Sequence, residues 1–323
     1  MLDYTKQFQD HLQSIVQKEA PAGLYQPISY LLHLGGKRIR PILTLMATDA
    51  YHVPVERGLA AALAVELFHN FTLMHDDIMD DAPLRRGNPT VHEKWNLNTG
   101  ILSGDAMLVQ AYQSLEVYED SLFSSLTRML SQTAIEVCEG QQYDMDFETQ
   151  SHVSQESYLE MIRLKTAVLV GCALKMGATV GGASNQDAQG LYDFGVLLGT
   201  AFQIQDDFLD AFGDPKVFGK QVGGDILENK KTILYHQTMS QANKADQDLI
   251  LRWFSEKTPS GKAEEKIKAV KELFESSGAK TRTQSLVVQY TEAAFEKLDS
   301  LSLDSQGKSI FKKFGQNLME RKY

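Results

Sequence analysis

Between Pro89 and Pro215 the chain contains no proline, and that gap constrains its fold more than any other feature. Proline lacks the backbone N–H and its ring clashes with the preceding turn, so a long proline-free stretch permits long uninterrupted helices. The apolar spacing agrees. Leu191, Phe194, Leu198, Ala201, Phe202, Leu209 and Phe212 recur at helical intervals, as do Leu59, Leu63, Leu67 and Met74. No run alternates apolar and polar residues as a half-buried strand would. Helix breakers gather at 20–27, 33–41, 82–90, 182–190, 213–224 and 257–262, which predicts loops there. With no repeat of solenoid length, the chain reads as one all-helical domain, 1–323, of roughly a dozen helices.

Charge narrows the function. There are 32 Lys and Arg against 42 Asp and Glu, a formal net of −10, which argues against nonspecific binding to nucleic acid or an anionic membrane. Cys138 and Cys172 form no CxxC pair, so neither a disulfide framework nor a thiolate metal site is expected, and the reducing cytoplasm is the natural compartment. The first twenty residues lack the apolar core of a signal peptide. The most apolar stretch, 166–183, is interrupted by Lys175 and is rich in glycine. It falls short of the roughly 20 apolar residues of a spanning helix, so no stable membrane insertion is expected.

Two acidic clusters stand out. HDDIMDD carries Asp76, Asp77, Asp80 and Asp81, and QDDFLD carries Asp206, Asp207 and Asp210; each closes an apolar helical stripe. On a helix Asp76 and Asp80 lie one turn apart, about 5–6 Å, on one face, and like charges at that spacing destabilise it. Solvated acidic helix ends are the plain reading of a single such cluster. Both clusters, however, sit at predicted helix C-termini, where the macrodipole disfavours anions. A hard divalent cation would offset that cost, because Mg²⁺ takes carboxylate oxygens and keeps waters and phosphates in its shell. The donors are all oxygens, with no thiolate and no HExxH, and His69 and His75 share no helical face well. That favours Mg²⁺ over zinc at these clusters.

Cations flank both clusters. GGKRIRP supplies Lys37, Arg38 and Arg40 behind Gly35 and Gly36; Arg85 and Arg86 follow the first cluster; Lys220, Lys230 and Lys231 follow the second. Arginine matches phosphate oxygens bidentately, lysine acts as a point charge, and glycine lets backbone N–H groups approach an anion. Each run alone reads as solvated surface. Neither GxxxxGK[ST] nor a GxGxxG after a strand is present, so a nucleotide is not indicated. The combination suggests two oligophosphate groups, one held through metal by the aspartates and one held directly by Lys and Arg.

In order and spacing, GGKRIRP (35–41), ELFHNFTLMHDDIMD (66–80), LRRG (84–87), GQQYD (140–144), RLKTA (163–167) and FQIQDDFLDAFGD (202–214) resemble the all-trans polyprenyl diphosphate synthase family, short-chain type. The resemblance runs from about residue 30 to 235 and rests beyond that on helical character alone. It implies a large, mostly antiparallel helical bundle around a deep central cavity, and a homodimer. The implied reaction is head-to-tail condensation of an allylic diphosphate with isopentenyl diphosphate, releasing pyrophosphate. Asp76, Asp77, Asp80, Asp206, Asp207 and Asp210 match the metal ligands, which in the family hold typically three Mg²⁺ ions. Arg85, Lys165 and Lys220 match contacts to the allylic diphosphate, with Lys230 as an addition. Gly36, Lys37, Arg40, His69 and Arg86 match the isopentenyl diphosphate site.

The resemblance also implies that Thr166 and Gln203, beside Lys165, turn oxygens toward an allylic carbocation shielded from water; an ordinary helix-packing hydrogen bond is the structural alternative. No dedicated base stands out, and in the family the released pyrophosphate takes the final proton. Gln141 and Asp144 match a motif near the metals and read as supporting groups. Asp81 lies outside DDxxD and reads as solvated or paired with arginine. Arg321 and Lys322 read as surface charge.

Product length follows from helix geometry. If the tail grows along the helix carrying Asp76, its floor lies one or more turns toward the N-terminus, at about 5.4 Å per turn. Phe68, Phe71 and Thr72 occupy that floor. A lone aromatic five residues before DDxxD resembles short-product members, with geranylgeranyl ahead of farnesyl diphosphate. A class I terpene cyclase and a non-catalytic regulatory subunit are the rivals: the first usually carries an Asn, Ser/Thr, Glu triad in place of the second DDxxD, and the second commonly loses one motif.

Overall fold

The computed structural model describes residues 3–15, 20–150, 152–214, 223–255 and 261–319. These residues are all-α in architecture. The helices are α1 (Tyr4–Ile15), α2 (Ala22–His33), α3 (Ile39–Asp49), α4 (Leu59–Met79), α5 (Val91–Lys94), α6 (Leu97–Gln113), α7 (Asp120–Thr149), α8 (Gln155–Ile162), α9 (Val168–Val180), α10 (Asn185–Phe212), α11 (Gly224–Leu227), α12 (Ile233–Gln241), α13 (Lys244–Ser255), α14 (Ala263–Ser276), α15 (Ala279–Asp299) and α16 (Ser305–Met319). The proline gap is filled as expected: α7 runs for 30 residues and α10 for 28.

The described residues group into two compact units. The first comprises the described residues within 3–132, 172–191 and 302–307, and the second those within 133–171, 192–301 and 308–319. In the first unit α4 is buried nearly all round, through Ala61, Leu63, Val65, Leu67, Phe68 and Met74 among others. An all-round apolar helix must be enclosed by its neighbours, and α3, α2 and α6 pack against it. The approach of α6 requires small residues: a Cβ at Gly100 would fall 2.8 Å from Ile78, and one at Gly104 would run into the His75 ring. In the second unit one core joins Ala211, Ile226, Leu234, Ile250, Val270 and Phe274. Another joins Tyr158, Met161, Ile162, Ile204 and Ile233.

Three local expectations are corrected. Pro27 sits inside α2 and not in a loop: the lost helix bond and ring clash cost about 3 kcal/mol, and burial of Pro27 with Ile28, Leu31 and Leu32 outweighs it. The loop expected over 182–190 ends sooner, because the Ser184 hydroxyl accepts from the Asp187 N–H at 3.1 Å and caps α10. A minimal hairpin also forms where no strand was expected. Its strands β1 (Leu84–Arg85) and β2 (Asn88–Pro89) pair antiparallel around Arg86 and Gly87, both at positive φ, the conformation such a tight turn demands.

Candidate active site

The first acidic motif ends α4. The Asp81 N–H bonds the Ile78 carbonyl at 3.3 Å and the Ala82 N–H bonds the Asp77 carbonyl at 2.9 Å, with Asp81 left-handed at φ 48°. This is a Schellman stop with aspartate in the place glycine usually takes. Asp81 is therefore the helix terminator, a role that its place outside DDxxD did not disclose. Asp77 points inward and is 2% exposed, and Arg85 from β1 grips it: Nε reaches both carboxylate oxygens at 2.9 and 2.8 Å, and Nη2 lies 2.7 Å from Oδ1. Asp76 is half-buried and Asp80, the C-cap, is exposed.

One to three turns back along α4 the charge changes sign. Arg38, left-handed at the N-cap of α3, is buried against Glu66 and the Leu32 carbonyl, while Asn70 donates to the same Glu66 carboxylate at 2.9 Å. Arg38 thus braces the loop 34–38. Arg40 Nη1 donates to His69 Nε2 at 3.1 Å. Burial and the guanidinium groups of Arg40, Arg86, Arg85 and Arg38 hold His69 well below its usual range, so its ring is neutral and can accept that bond. Burial draws Arg40 down to about 10 and lowers Arg86, with Arg38 and Arg85 adding repulsion. Arg86 donates to the Gly35 carbonyl. A Cβ at Gly36, where φ is +124°, would meet the Arg86 guanidinium at 2.7–2.8 Å, so glycine is what lets that side chain settle there. Lys37 is exposed on the same loop. The structure therefore brings Gly36 and neutral His69 together with Arg40 and Arg86, where Arg38, Arg85 and Arg86 concentrate like charge that an anion would relieve.

In the second unit Asp207 is buried near the end of α10. It accepts from the Tyr158 hydroxyl of α8 and from Gln203 Nε2 at 3.1 Å. Burial and Asp225 push its carboxyl well above the usual range. Asp210 accepts the Asp225 N–H at 3.1 Å, and its backbone carbonyl accepts the Gly223 N–H at 2.7 Å. Burial and Asp210 push Asp225 up to about 7. Asp225 and Tyr158 are the participants missed in the sequence; the one available signal for Asp225 was an acid after a glycine pair shortly beyond the second motif.

Between α8 and α9, residues Arg163–Ala167 form a π turn, a local widening common at functional sites. It carries Lys165, whose ammonium pairs with Asp144 of α7, and Thr166, whose hydroxyl donates to Gln203 Oε1 at 3.3 Å. Gly140 allows α7 to pass this turn, since a Cβ there would lie 2.7 Å from the Lys165 Cα. The helix-packing bond between Thr166 and Gln203 is thus present, and it continues through Gln203 to Asp207. Lys230 is paired with Glu228 at 2.7 Å and with Asp225 at 3.8 Å. Lys220 lies outside the described residues, as do Arg321 and Lys322. Phe71 stands between Phe68 and His75, with ring centroids 5.7 and 4.8 Å away; Phe68 is fully buried, and the Thr72 hydroxyl donates to the His69 carbonyl at 2.8 Å.

Helix-borne aspartates beside a cation cluster belong to diphosphate chemistry, and comparison with known proteins agrees. The Polyprenyl synthetase family model matches residues 21–274. The geranylgeranyl diphosphate synthase of Methanosarcina mazei is 38% identical, over 100% of this chain and 98% of that protein. A crystal structure of a geranylgeranyl pyrophosphate synthase is 48% identical and superposes with a TM-score of 0.95, covering 99% of this chain and 98% of that one. A polyprenyl synthase from Caulobacter crescentus CB15, complexed with calcium and isoprenyl diphosphate, is 25% identical with a TM-score of 0.87, covering 99% of this chain and 96% of that one. Fold and relatives define a short-chain trans-prenyltransferase. The chain belongs to the polyprenyl synthetase family.

Proposed function

We propose that this prenyltransferase condenses an allylic diphosphate with isopentenyl diphosphate to give geranylgeranyl diphosphate and pyrophosphate, with farnesyl diphosphate as the shorter alternative. The observation that carries this reading is the reversal of charge along α4: neutral His69 lies among arginines, and Asp76 follows seven residues later, about 10 Å along the axis. Gly36, Lys37, Arg40, His69 and Arg86 would bind isopentenyl diphosphate directly. Arg85, Lys165, Lys220 and Lys230 would contact the allylic diphosphate.

The donor set fits Mg²⁺. Asp76, Asp77, Asp80, Asp206, Asp207 and Asp210 offer only carboxylate oxygens; burial first, and neighbouring carboxylates second, raise Asp207 and Asp210, and a hard cation would relieve both costs. When bound, Mg²⁺ supplies Lewis-acid neutralisation of the departing pyrophosphate; the family typically holds three ions. Asp77 and Asp207 are engaged by Arg85 and Tyr158, so direct ligation through them requires those partners to release. Thr166 and Gln203 would turn their oxygens toward positive charge developing on the allylic carbon, with Lys165 held beside them by Asp144.

The purified chain with Mg²⁺, labelled isopentenyl diphosphate and each allylic diphosphate is expected to release pyrophosphate and yield a twenty-carbon product by mass spectrometry. Absence of label in any prenyl product would overturn the proposal. We further propose a homodimer: α6 leaves Leu97, Ile101, Leu102 and Val109 exposed, an apolar stripe a second copy would cover. A monomeric mass by light scattering would refute this. Among the described residues no helix is long and apolar enough to cross a membrane. A cytoplasmic setting is proposed on cysteine usage.

A further inference from the structure

Just past the first acidic motif, Asp81, His92 and Glu93 each present one ligand atom, all within 4.8 Å of one another. The three are held by a closed frame. Asp81 is fixed in the left-handed stop of α4, Thr90 bonds back to Pro83 and Ala82 through its N–H and hydroxyl at 3.1 and 2.8 Å, and β1 and β2 pair in between. The frame returns α5, with His92 and Glu93, to the end of α4.

The second observation is His92 itself. Its side chain is only 9% exposed, yet neither ring nitrogen has a hydrogen-bond partner among the described residues. A buried imidazole without partners is costly. Its Nε2 lies 3.8 Å from the Glu93 carboxylate, too far for a hydrogen bond. Two ligands each about 2.1 Å from one cation stand 3–4 Å apart, so this spacing suits a shared cation better than a direct contact. The exposed Asp81 and Glu93 carboxylates can close the remaining gap by rotation, and their open side leaves room for water.

We propose that Asp81, His92 and Glu93 form a binding site for one borderline divalent cation of the Zn²⁺ type, separate from the Mg²⁺ chemistry of the Asp-rich motifs. One imidazole with two carboxylates is a mixed nitrogen and oxygen donor set, which suits Zn²⁺ better than the harder Mg²⁺. Arg85 and Arg86 lie on the segment between Asp81 and His92, so the cation staples the base of the hairpin that presents them. The absence of thiolates and HExxH hid this site in the sequence, because its ligands are split between a helix end and the short helix after a hairpin.

The test is calorimetric titration of the full chain with Zn²⁺, with millimolar Mg²⁺ present to occupy hard carboxylate sites, alongside thermal melts with and without Zn²⁺. Wild-type protein is expected to bind one Zn²⁺ per chain and to melt higher with it. His92→Gln and Asp81→Asn are each expected to weaken that binding at least about tenfold and to remove the thermal shift. Asparagine tolerates the left-handed backbone, so Asp81→Asn decides the matter should the histidine variant fail to fold. Wild-type protein that takes up no Zn²⁺, or variants that bind it as tightly as wild type, would overturn the proposal. Neither readout depends on prenyl transfer.

Discussion

The Tyr158 hydroxyl donates to the Asp207 carboxylate, and both groups are buried. Asp77 is treated similarly by Arg85. In each DDxxD motif the middle aspartate is thus anchored inside its own unit, while its neighbours Asp76 and Asp80, or Asp206 and Asp210, are more open to solvent. The anchors set the rotation of the helix ends and so the direction in which the remaining carboxylates project. Both Tyr158 and Asp207 are pushed upward by burial, which keeps the phenol protonated and able to donate.

Tyr158→Phe removes the donor while keeping the ring in its core. Asp207 then retains Gln203 as its side-chain donor among those described here, and a poorly satisfied buried carboxylate costs about 1–3 kcal/mol. The expected result is a fall of roughly tenfold in kcat together with a higher Mg²⁺ requirement. Steady-state rates across a Mg²⁺ series provide the check; an unchanged requirement would rule out a positioning role.

Asp76 and Asp77 should separate stability from catalysis. Asp77→Ala strands Arg85 and is expected to cost on the order of 3 kcal/mol in unfolding free energy, as for other broken buried pairs. Asp76, half-buried where Asp77 is buried, is expected on replacement by Ala to lower kcat by at least about a hundredfold and to cost less stability than Asp77→Ala. Denaturant titrations and pyrophosphate-release assays on the two variants distinguish these outcomes. Equal loss of stability in both would contradict the division.

What could be read from sequence tracks how local the cause is. The long helices α7 and α10 were legible because proline and apolar spacing act within one segment, and the cation and aspartate runs were legible because they are contiguous. Asp225, Tyr158 and His92 were not, because their environments arise when separate segments meet: the turn at 223–225 against Asp210, α8 against α10, and the hairpin returning α5 to α4. Pro27 escaped for a related reason, since only tertiary burial repays its helix-breaking cost. The π turn at Arg163–Ala167 has no periodic signature that a five-residue window could reveal.

Acid stability should depend on His236. Burial, with Lys231 and His152 adding repulsion, draws its ring down to about 4. Unfolded, the ring takes a proton near 6.5; folded, it does so only near 4. Between those values the unfolded chain binds more protons, so folding stability falls as pH drops from about 6.5 to about 4, by a maximum on the order of 3 kcal/mol. His236→Phe should flatten that segment of the profile. Urea unfolding from pH 7 to pH 4 tests this, and identical slopes for the two proteins would contradict it.

The product-length floor supplies the last prediction. Phe71, Leu67 and Leu63 lie at successive four-residue steps on α4, one face of the helix. Leu67, Leu63 and Ala60 line a largely apolar cavity of about 310 Å³ in the first unit, together with Ile28 and Leu32 of α2 and Gln113 of α6. Phe71 is half-buried one turn above Leu67, whereas Phe68 is fully buried among its neighbours. Phe71→Ala therefore removes a half-buried ring one turn from Leu67 without emptying the core position beside it. The expected outcome is a shift toward products one or two isoprene units longer, each unit needing roughly one helix turn of added depth. Chromatography of the dephosphorylated products measures it, and an unchanged distribution would mean that the floor lies elsewhere. Phe68→Ala should act differently: loss of a fully buried ring costs about 3–5 kcal/mol, so its first effect is on folding and not on chain length.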